Sequence, residues 1–250
     1  MTVDACADLV QRGDPDRFLA VMAAPREARA QLFPLYAFNL EVARAPWVTQ
    51  EPLIAEMRLQ WWRDVVENAA SGAARAHEVA GPLHDLIRDF GLPVVVLDRL
   101  IAARRWDIHK EPHDGVEGLE AYLEDTGAGL MWLAARAFGA PDGAEPAVRA
   151  YGWATAAAMY IRAVPALAAR GRQPFPDGIG LQQLAQMGLE KVSEARKGRK
   201  AVPKAVAPAL LAGWQTEGIL QQALAGQSST DLPEAQKRWR LLWQAFTGRW

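Results

Sequence analysis

Apolar residues recur at helical spacing along nearly the whole chain. After Pro52, for example, Ile54, Met57, Trp61 and Val65 form one stripe, and no segment alternates apolar and polar residues convincingly as a half-buried strand does. Several of these segments begin at proline, which is favoured in the first turn of a helix. The pattern predicts an all-α protein, with helices that begin near positions 15, 25 and 52 and further helices over about 80–90, 93–106, 117–138, 144–168, 180–197, 203–225 and 232–247.

No linker long enough to separate two domains interrupts this pattern, so residues 1–250 are expected to form a single domain. Its last element is a C-terminal helix within residues 232–250, where Asp231 and Glu234 have the spacing of a capping pair. We expect the apolar stripe of that helix to pack in the core, and a surface for a partner or a membrane is the alternative. The stripe consists of Trp239, Leu242, Trp243 and Phe246.

Composition places the chain among ordinary globular proteins. Half of the residues are hydrophobic, 23% are charged and the net charge is -1, so no global field favours nucleic acid as a partner. The one cysteine, Cys6, excludes an intramolecular disulfide. No uncharged apolar run reaches the ~18 residues of a membrane span, and the N-terminus lacks the basic start of a signal peptide. The default expectation is a cytoplasmic protein.

Motifs that carry common enzyme chemistry do not occur in the sequence, which has no glycine-rich phosphate loop, no HExxH and no GxSxG. His109 and His113 have the spacing of helical metal ligands, but Pro112 lies between them, so a solvated loop is favoured over a metal site. The basic run from Lys191 to Lys204 ends a helix, where cations complement the helix dipole. A site for phosphate or a phospholipid headgroup is the alternative for that run.

Three stretches of the chain resemble a known family. Residues 18–39 read FLAVMAAPREARAQLFPLYAFN, residues 122–139 read YLEDTGAGLMWLAARAFG, and residues 161–176 read IRAVPALAARGRQPFP. They are similar, in the same order, to the opening helices, the small-residue channel helix and the second polar motif of the squalene/phytoene synthase family. The resemblance spans most of the chain. It implies an isoprenoid synthase fold, which is a single-domain helical bundle around a central apolar channel.

The resemblance also marks two places where this chain departs from the family. Its enzymes join two prenyl diphosphates head to head and use Mg²⁺, held by two aspartate-rich motifs, to neutralise the leaving diphosphate. At the matching positions, residues 39–44 read NLEVAR and residues 162–167 read RAVPAL. Alanine, leucine and arginine offer no hard oxygen ligands to Mg²⁺. The comparison therefore implies a protein with no catalytic residues, no metal site and no cofactor.

Six side chains at the matching positions outline a vestigial diphosphate region: Tyr36, Asn39, Arg44, Arg162, Arg170 and Arg172. One hypothesis is that the arginines replace Mg²⁺ and bind an anionic ligand directly. The favoured alternative is that Arg162 pairs with a nearby acid such as Asp125 or Glu41 and fills the vacated polar channel.

One branch of the family fits best, the degenerate branch that includes a mitochondrial assembly factor for respiratory complex I. This likeness implies a non-catalytic scaffold or assembly protein whose partner is a complex I subunit or assembly protein, with peripheral contact at the inner membrane. Two alternatives are a head-to-head prenyl diphosphate transferase with an altered ionic site and Mg²⁺, and a non-catalytic isoprenoid or lipid binder. An open apolar cavity beside Ala43 and Ala163 would favour the binder, and a collapsed channel would favour the scaffold.

Overall fold

Helices make up all the regular structure in residues 3–69, 72–109, 111–227 and 233–250, which are the residues that the computed structural model describes. The all-α prediction is therefore confirmed. The helices are α1 (Val3–Gly13), α2 (Pro15–Ala23), α3 (Arg29–Arg44), α4 (Pro52–Asn68), α5 (Ala80–Phe90), α6 (Val94–Ala103), α7 (Gly115–Leu123), α8 (Gly129–Ala137), α9 (Glu145–Ala169), α10 (Leu181–Lys197), α11 (Ala207–Leu210), α12 (Thr216–Leu224) and α13 (Glu234–Thr247).

Two of the predicted helices are interrupted. Residues 203–225 do not form one helix, because short turns and α11 precede α12. Pro208 has no backbone N–H and forces a new helix to start there, while the carbonyl of Gly213 accepts a hydrogen bond from the Tyr151 hydroxyl at 2.8 Å. The helix predicted over 117–138 begins earlier, with α7, and widens into a π turn at Glu124–Ala128 before α8. Such turns re-aim side chains, and this one faces the central cavity.

Helix α9 runs through the centre of the fold and is buried on nearly every side. It packs against α8, α10, α12 and the π turn. Small residues allow the closest of these approaches. A Cβ atom built on Gly127 would lie 2.2 Å from the Cβ of Ala156, and one built on Gly152 would lie 2.8 Å from the Cα of Ala128. Both glycines are therefore required by the close packing of the π turn on α9.

Replacing Gly127 by alanine is expected to lower the free energy of unfolding by about 1–3 kcal/mol, because the added methyl group overpacks the contact with Ala156. Urea titration followed by circular dichroism measures this loss. Gly143 has open space around its Cα, so Gly143→Ala is the matched control and should change the free energy by less than ~0.5 kcal/mol. Equal stability of wild type and Gly127→Ala would contradict the close crossing.

One hydrophobic cluster of buried side chains extends from Cys6 in α1 to Trp250. The expectation of a single domain stays a prediction, and this shared core is the observation that favours it. Within the described ranges, none of the helices combines the length and the hydropathy that a membrane-spanning segment needs.

The C-terminal helix is α13, and Asp231, its predicted cap, lies outside the described residues. Its buried residues are Leu241 and Gln244, and the amide of Gln244 donates a hydrogen bond to the carbonyl of Leu210 at 2.9 Å. These two residues lie on the side of α13 opposite the aromatic stripe, and that side attaches the helix to the rest of the protein. The prediction that the stripe packs in the core is therefore wrong. The stripe is exposed: Trp239 66%, Leu242 62%, Trp243 49% and Phe246 92%.

Candidate functional site

A cavity of about 320 Å³ lies between α3, α9, the π turn and the 3-10 turn Arg104–Asp107. Part of its wall consists of apolar or small residues, many of them on α9 and on the π turn. This cavity is the predicted central channel, and Ala43 and Ala163 both line it. The rest of this part of the wall consists of Leu123, Thr126, Gly127, Leu130, Met131, Gly152, Thr155, Ala156, Met159, Ala166, Leu167 and Ala212.

The polar part of the wall contains a buried carboxylate, Asp107, one of whose oxygens already accepts two hydrogen bonds. Asp107 is only 4% exposed, and its Oδ2 accepts hydrogen bonds from the Tyr122 hydroxyl at 2.9 Å and from Nη1 of Arg104 at 3.3 Å. The same Nη1 donates to the Tyr122 oxygen at 2.6 Å. Burial disfavours the charged form of Arg104, but Tyr122 and Asp107 outweigh it and raise the pKa of the guanidinium. Arg104, Asp107 and Tyr122 form a closed triad, which we call the Asp107 triad.

Two arginines lie beside this triad and are held by aromatic rings. The guanidinium of Arg172 lies 4.9 Å from the ring centroids of both Trp47 and Trp106, and it donates to the main-chain oxygens of Trp106 and Asp107. Arg172 is only 7% exposed. Arg170 is exposed, and its guanidinium also lies against Trp47, at 4.5 Å from the ring centroid. Within the described chain, neither guanidinium has a carboxylate oxygen within 4.0 Å. This end of the cavity is therefore cationic.

His113 is buried against the same group of side chains, so the prediction of a solvated loop is wrong for this residue. Its ring stacks on Trp106 at a centroid distance of 3.8 Å and an interplanar angle of 9°. Tyr160 donates its hydroxyl proton to the carbonyl of Pro174, so the contact of 3.2 Å between Tyr160 and Nε2 of His113 requires that Nε2 carry a proton. Burial, and then the charge of Arg172, lowers the pKa of His113 to about 4. His109 is exposed, as predicted.

The low pKa of His113 predicts a loss of stability in acid. An unfolded histidine titrates near pH 6.5, so between about pH 6.5 and 4 the unfolded state binds the proton more readily and the free energy of unfolding falls as the pH falls. The contribution of this group reaches up to about 3 kcal/mol. We expect His113→Phe, which keeps a ring on Trp106, to show a flatter pH dependence than the wild type over this range in urea titrations. Parallel curves for the two proteins would contradict the assignment.

Three of the six predicted site residues line the cavity, namely Tyr36, Asn39 and Arg170, and Arg172 lies beside it in contact with Trp106. Burial raises the pKa of Tyr36 to about 12, so its hydroxyl stays protonated at neutral pH. Asn39 is 5% exposed, and its Oδ1 atom is buried without a hydrogen-bond partner among the described residues. That oxygen is a free acceptor in the wall of the cavity.

The other two arginines lie outside the cavity wall, which bears against the hypothesis that the arginines form one anion site. Arg44 has an exposed side chain and lies 3.9 Å from Glu41 on its own helix. Arg162 pairs with an acid, as the favoured alternative expected, but the acid is Asp16 of α2 at 2.8 Å and not Asp125 or Glu41. The reason is helical geometry: Met159, Ala163 and Ala166 share the face of α9 that lines the cavity, and Arg162 does not.

Several lining residues were not predicted from the sequence: Arg17, Arg104, Asp107, Tyr122 and Tyr160. The guanidinium of Arg17 lies 4.9 Å from the ring centroid of Tyr36, and Arg17 also pairs with Asp14 at 3.4 Å. The available signal was the cluster Arg104-Arg105-Trp106-Asp107 at the end of a predicted helix, where charged and aromatic residues meet in a turn. Its folding against Tyr122 depends on tertiary packing, which no local pattern encodes.

The lining residues do not fit Mg²⁺ held in the manner of the family's enzymes. That ion prefers oxygen ligands and is usually bound through carboxylates. Among the described lining residues the carboxylate is Asp107, which Arg104 and Tyr122 already occupy, and Asn39 adds one amide oxygen. No group of three His, Cys, Asp or Glu side chains in the described ranges has a metal-binding arrangement. The guanidinium groups of Arg104 and Arg170 would moreover repel a divalent cation.

Solved structures show which fold the chain shares. A dehydrosqualene synthase in complex with a ligand superposes with a TM-score of 0.82 at 13% identity, over 98% of this chain and 95% of that one. A squalene synthase from Alicyclobacillus acidocaldarius superposes with a TM-score of 0.74 at 19% identity, over 90% and 93% of the two chains. At these identities the likeness shows the fold alone, and it confirms the predicted isoprenoid synthase bundle.

Curated relatives are similar in sequence. NADH dehydrogenase (ubiquinone) complex I, assembly factor 6 of Bos taurus is 28% identical over 199 residues, which cover 79% of this chain and 60% of that protein. The Drosophila melanogaster homolog is 33% identical over 207 residues with the same coverage, and the Homo sapiens protein is 24% identical over 240 residues, or 87% and 72%. The chain thus spans about 60% of the length of the first two relatives.

The profile of the squalene/phytoene synthase family matches residues 10–246, which is nearly the whole chain. This match agrees with the helical bundle, with its central cavity and with the solved structures that share the fold. The chain belongs to the squalene/phytoene synthase family.

Proposed function

We propose that this protein is a non-catalytic member of its family that acts as an assembly factor for respiratory complex I. Relatives from cattle, fly and human that carry the name of such a factor are similar over 79–87% of this chain. Its partner would be a complex I subunit or another assembly protein, and nucleic acid is not proposed as a partner. The cytoplasmic location with peripheral contact at the inner membrane also stays a prediction.

The proposal that the protein is non-catalytic rests mainly on one observation, the Asp107 triad. A prenyl transferase must neutralise a departing diphosphate, and Mg²⁺ does so when carboxylates hold it. Here the carboxylate in the described cavity wall pairs with the guanidinium of Arg104 and accepts the hydroxyl proton of Tyr122, so its charge is already balanced. The alternative of a head-to-head prenyl transferase with an altered ionic site has less support, because Arg44 and Arg162 of the predicted site do not line the cavity.

Deletion of the gene in its own host tests the assembly role. We expect assembled complex I and NADH-dependent respiration to fall severalfold while succinate-dependent respiration is unchanged. The wild-type gene should restore both, and so should Asn39→Leu, which removes the free oxygen from the cavity wall at nearly equal size. Normal complex I levels in the deletion strain would refute the assembly role. Rescue by the wild type but not by a folded Asn39→Leu protein would show that the role needs the cavity, which a pure scaffold does not require.

A second candidate function is binding of an isoprenoid or another lipid without chemistry. It is favoured by the cavity itself, which has room beside Ala43 and Ala163 and a cationic end at Arg170. Farnesyl diphosphate added without Mg²⁺ is expected to raise the melting temperature of the wild type. Ala163→Phe should abolish that rise, because its ring fills the cavity. No rise with the wild type, or an equal rise in both proteins, would rule out this candidate.

A further inference from the structure

Helix α13 presents an apolar face to solvent. Its stripe residues follow one another at i, i+3, i+4 and i+7, which places them on one side of a helix. The rings of Trp239 and Trp243 stack at a centroid distance of 6.4 Å, so they form one continuous surface. Phe246 is the most exposed large apolar side chain of the described residues, at 92%. Contiguous exposed aromatic surface of this kind marks a surface that binds something.

Arginine flanks this apolar face on both sides. Arg238 and Arg240 are the sequence neighbours of Trp239, so each lies about 100° around the helix from it, one on either side. Glu234, the acid within α13, pairs with Lys237 at 3.0 Å. The exposed face is therefore apolar along its middle and cationic along its edges. This distribution is typical of helices that lie in the interface of an anionic bilayer.

A second cationic feature lies under the same helix. A cleft of about 430 Å³ is lined by four arginines and, among its described residues, by one side-chain carboxylate, that of Glu217, and by Trp250. Trp243 lines this cleft as well as belonging to the exposed stripe, so the two features adjoin. The four arginines are Arg196, Arg199, Arg240 and Arg249.

The charges in this cleft are unbalanced. Arg196 donates to the carboxylate of Glu217 at 2.7 and 3.3 Å and to the main-chain oxygen of Trp250 at 3.3 Å. Arg199 donates to the carbonyl of Gly248 at 2.7 Å. In the part of the chain that the structure describes, Arg240 and Arg249 have no carboxylate oxygen within 4.0 Å. Two guanidinium groups are thus available to an anion at the point where the apolar face begins.

We propose that α13 docks on the surface of an anionic phospholipid bilayer, with its stripe at the acyl boundary and a lipid phosphate bound by Arg240 and Arg249. Charge complementarity selects this occupant, since arginine borders the stripe on both sides and also lines the adjoining cleft. Tryptophan favours the headgroup level of a bilayer. The proposal does not depend on the complex I assignment. Its test uses only purified protein and lipid vesicles, so it can succeed or fail whether or not the protein assembles complex I.

Vesicle sedimentation tests this proposal directly. We expect the purified full chain to sediment with phosphatidylcholine vesicles that contain about 30% phosphatidylglycerol, and much less with pure phosphatidylcholine. Higher salt should weaken the binding, since it screens the attraction between arginines and headgroups. A wild-type protein that stays in the supernatant with both kinds of vesicle would overturn the proposal, and so would equal binding to both.

Paired variants separate the apolar contribution from the charged one. Leu242→Gln with Phe246→Gln should weaken binding by roughly tenfold or more, because the two changes remove apolar surface that would enter the bilayer. Both side chains are exposed, so the changes should leave the fold intact. Arg240→Glu with Arg249→Glu should abolish the preference for anionic vesicles. The control is Val95→Gln with Arg88→Glu, which changes an exposed apolar residue and an exposed arginine on other helices. It should bind as the wild type does.

Two further outcomes would overturn the proposal. One is an equal loss of binding in the control and in the α13 variants. The other is a wild type that elutes as a dimer, fails to bind vesicles and becomes monomeric after the Leu242→Gln and Phe246→Gln changes, which would make the stripe a protein interface. Circular dichroism of every variant verifies that the helices are intact.

Discussion

Replacing Asp107 by alanine is expected to lower the free energy of unfolding by about 3 kcal/mol, because the change leaves the guanidinium of Arg104 without its counter-charge. The two side chains are only 4% and 16% exposed, so water cannot replace the lost carboxylate at low cost. Tyr122 also loses the acceptor of its hydroxyl proton. Asp107→Asn should lose less, since the amide oxygen still accepts one hydrogen bond.

A double-mutant cycle with Arg104→Met isolates the interaction of this pair from the other effects of each change. We expect the coupling energy between Arg104 and Asp107, measured by urea titration, to be about 2 kcal/mol. The matched control is the pair of Arg105 and Glu56, whose contact of 3.0 Å is shorter than the 3.3 Å between Arg104 and Asp107 but whose side chains are 45% and 32% exposed. Its coupling should stay below about 1 kcal/mol. Equal coupling energies for the two pairs would contradict a buried, structural role for Asp107.

Replacing Arg172 by alanine is the second change with a large expected effect, a loss of about 2–3 kcal/mol. Its guanidinium donates to the carbonyls of Trp106 and Asp107 and lies between two tryptophan rings. Alanine would leave both carbonyls without this donor and would open a void between Trp47 and Trp106. The free energy of unfolding should fall, and the 3-10 turn that contains Asp107 should lose two hydrogen bonds that now fix its position.

Arg170 supplies the matched control, because it stacks on the same Trp47 but is exposed and makes no such pair of hydrogen bonds. Arg170→Ala should cost less than about 1 kcal/mol. Arg172→Lys should recover less than half of the loss, since an ammonium group cannot bridge two carbonyls as a planar guanidinium does. Full stability of Arg172→Lys, or equal losses at positions 170 and 172, would contradict this role for Arg172.

Helical periodicity was sufficient to predict the class of the fold and the bounds of several of its helices. The observed bounds of α5, α9 and α10 agree with the predicted ones within one or two residues. The π turn at Glu124–Ala128 and the break before α12 were not predictable in this way. Both arise from close contacts with α9, such as those of Gly127 and of Gly213 with Tyr151, and those contacts join residues far apart in the chain.

The candidate site was predictable only in part, for a related reason. Sequence position placed Arg162 beside Ala163, but one helical step rotates a side chain by about 100°, and so Arg162 contacts Asp16 while Ala163 lines the cavity. Arg104 and Asp107 had no motif to mark them, because their partner Tyr122 lies on another helix. Tertiary contacts, and not local patterns, decide which arginines line the cavity.

The stripe of α13 shows the limit of amphipathic patterns. Its spacing identified one apolar face, yet a helical period does not tell whether that face meets the core, a partner or a bilayer. In the structure the helix is anchored by Leu241 and by the hydrogen bond of Gln244, and the aromatic face is left exposed. Arg238 and Arg240, which flank Trp239, were the additional signal in the sequence, because cations beside aromatic residues are typical of interfacial helices.

Release of pyrophosphate from farnesyl diphosphate in the presence of Mg²⁺ is the most direct test of the central claim, that the cavity wall cannot hold the metal for prenyl transfer. The active control is a dehydrosqualene synthase assayed under the same conditions. We predict that the purified chain releases no more pyrophosphate than buffer with Mg²⁺, and that adding EDTA changes nothing. Release that requires Mg²⁺ and disappears in the Asn39→Leu variant would contradict the claim.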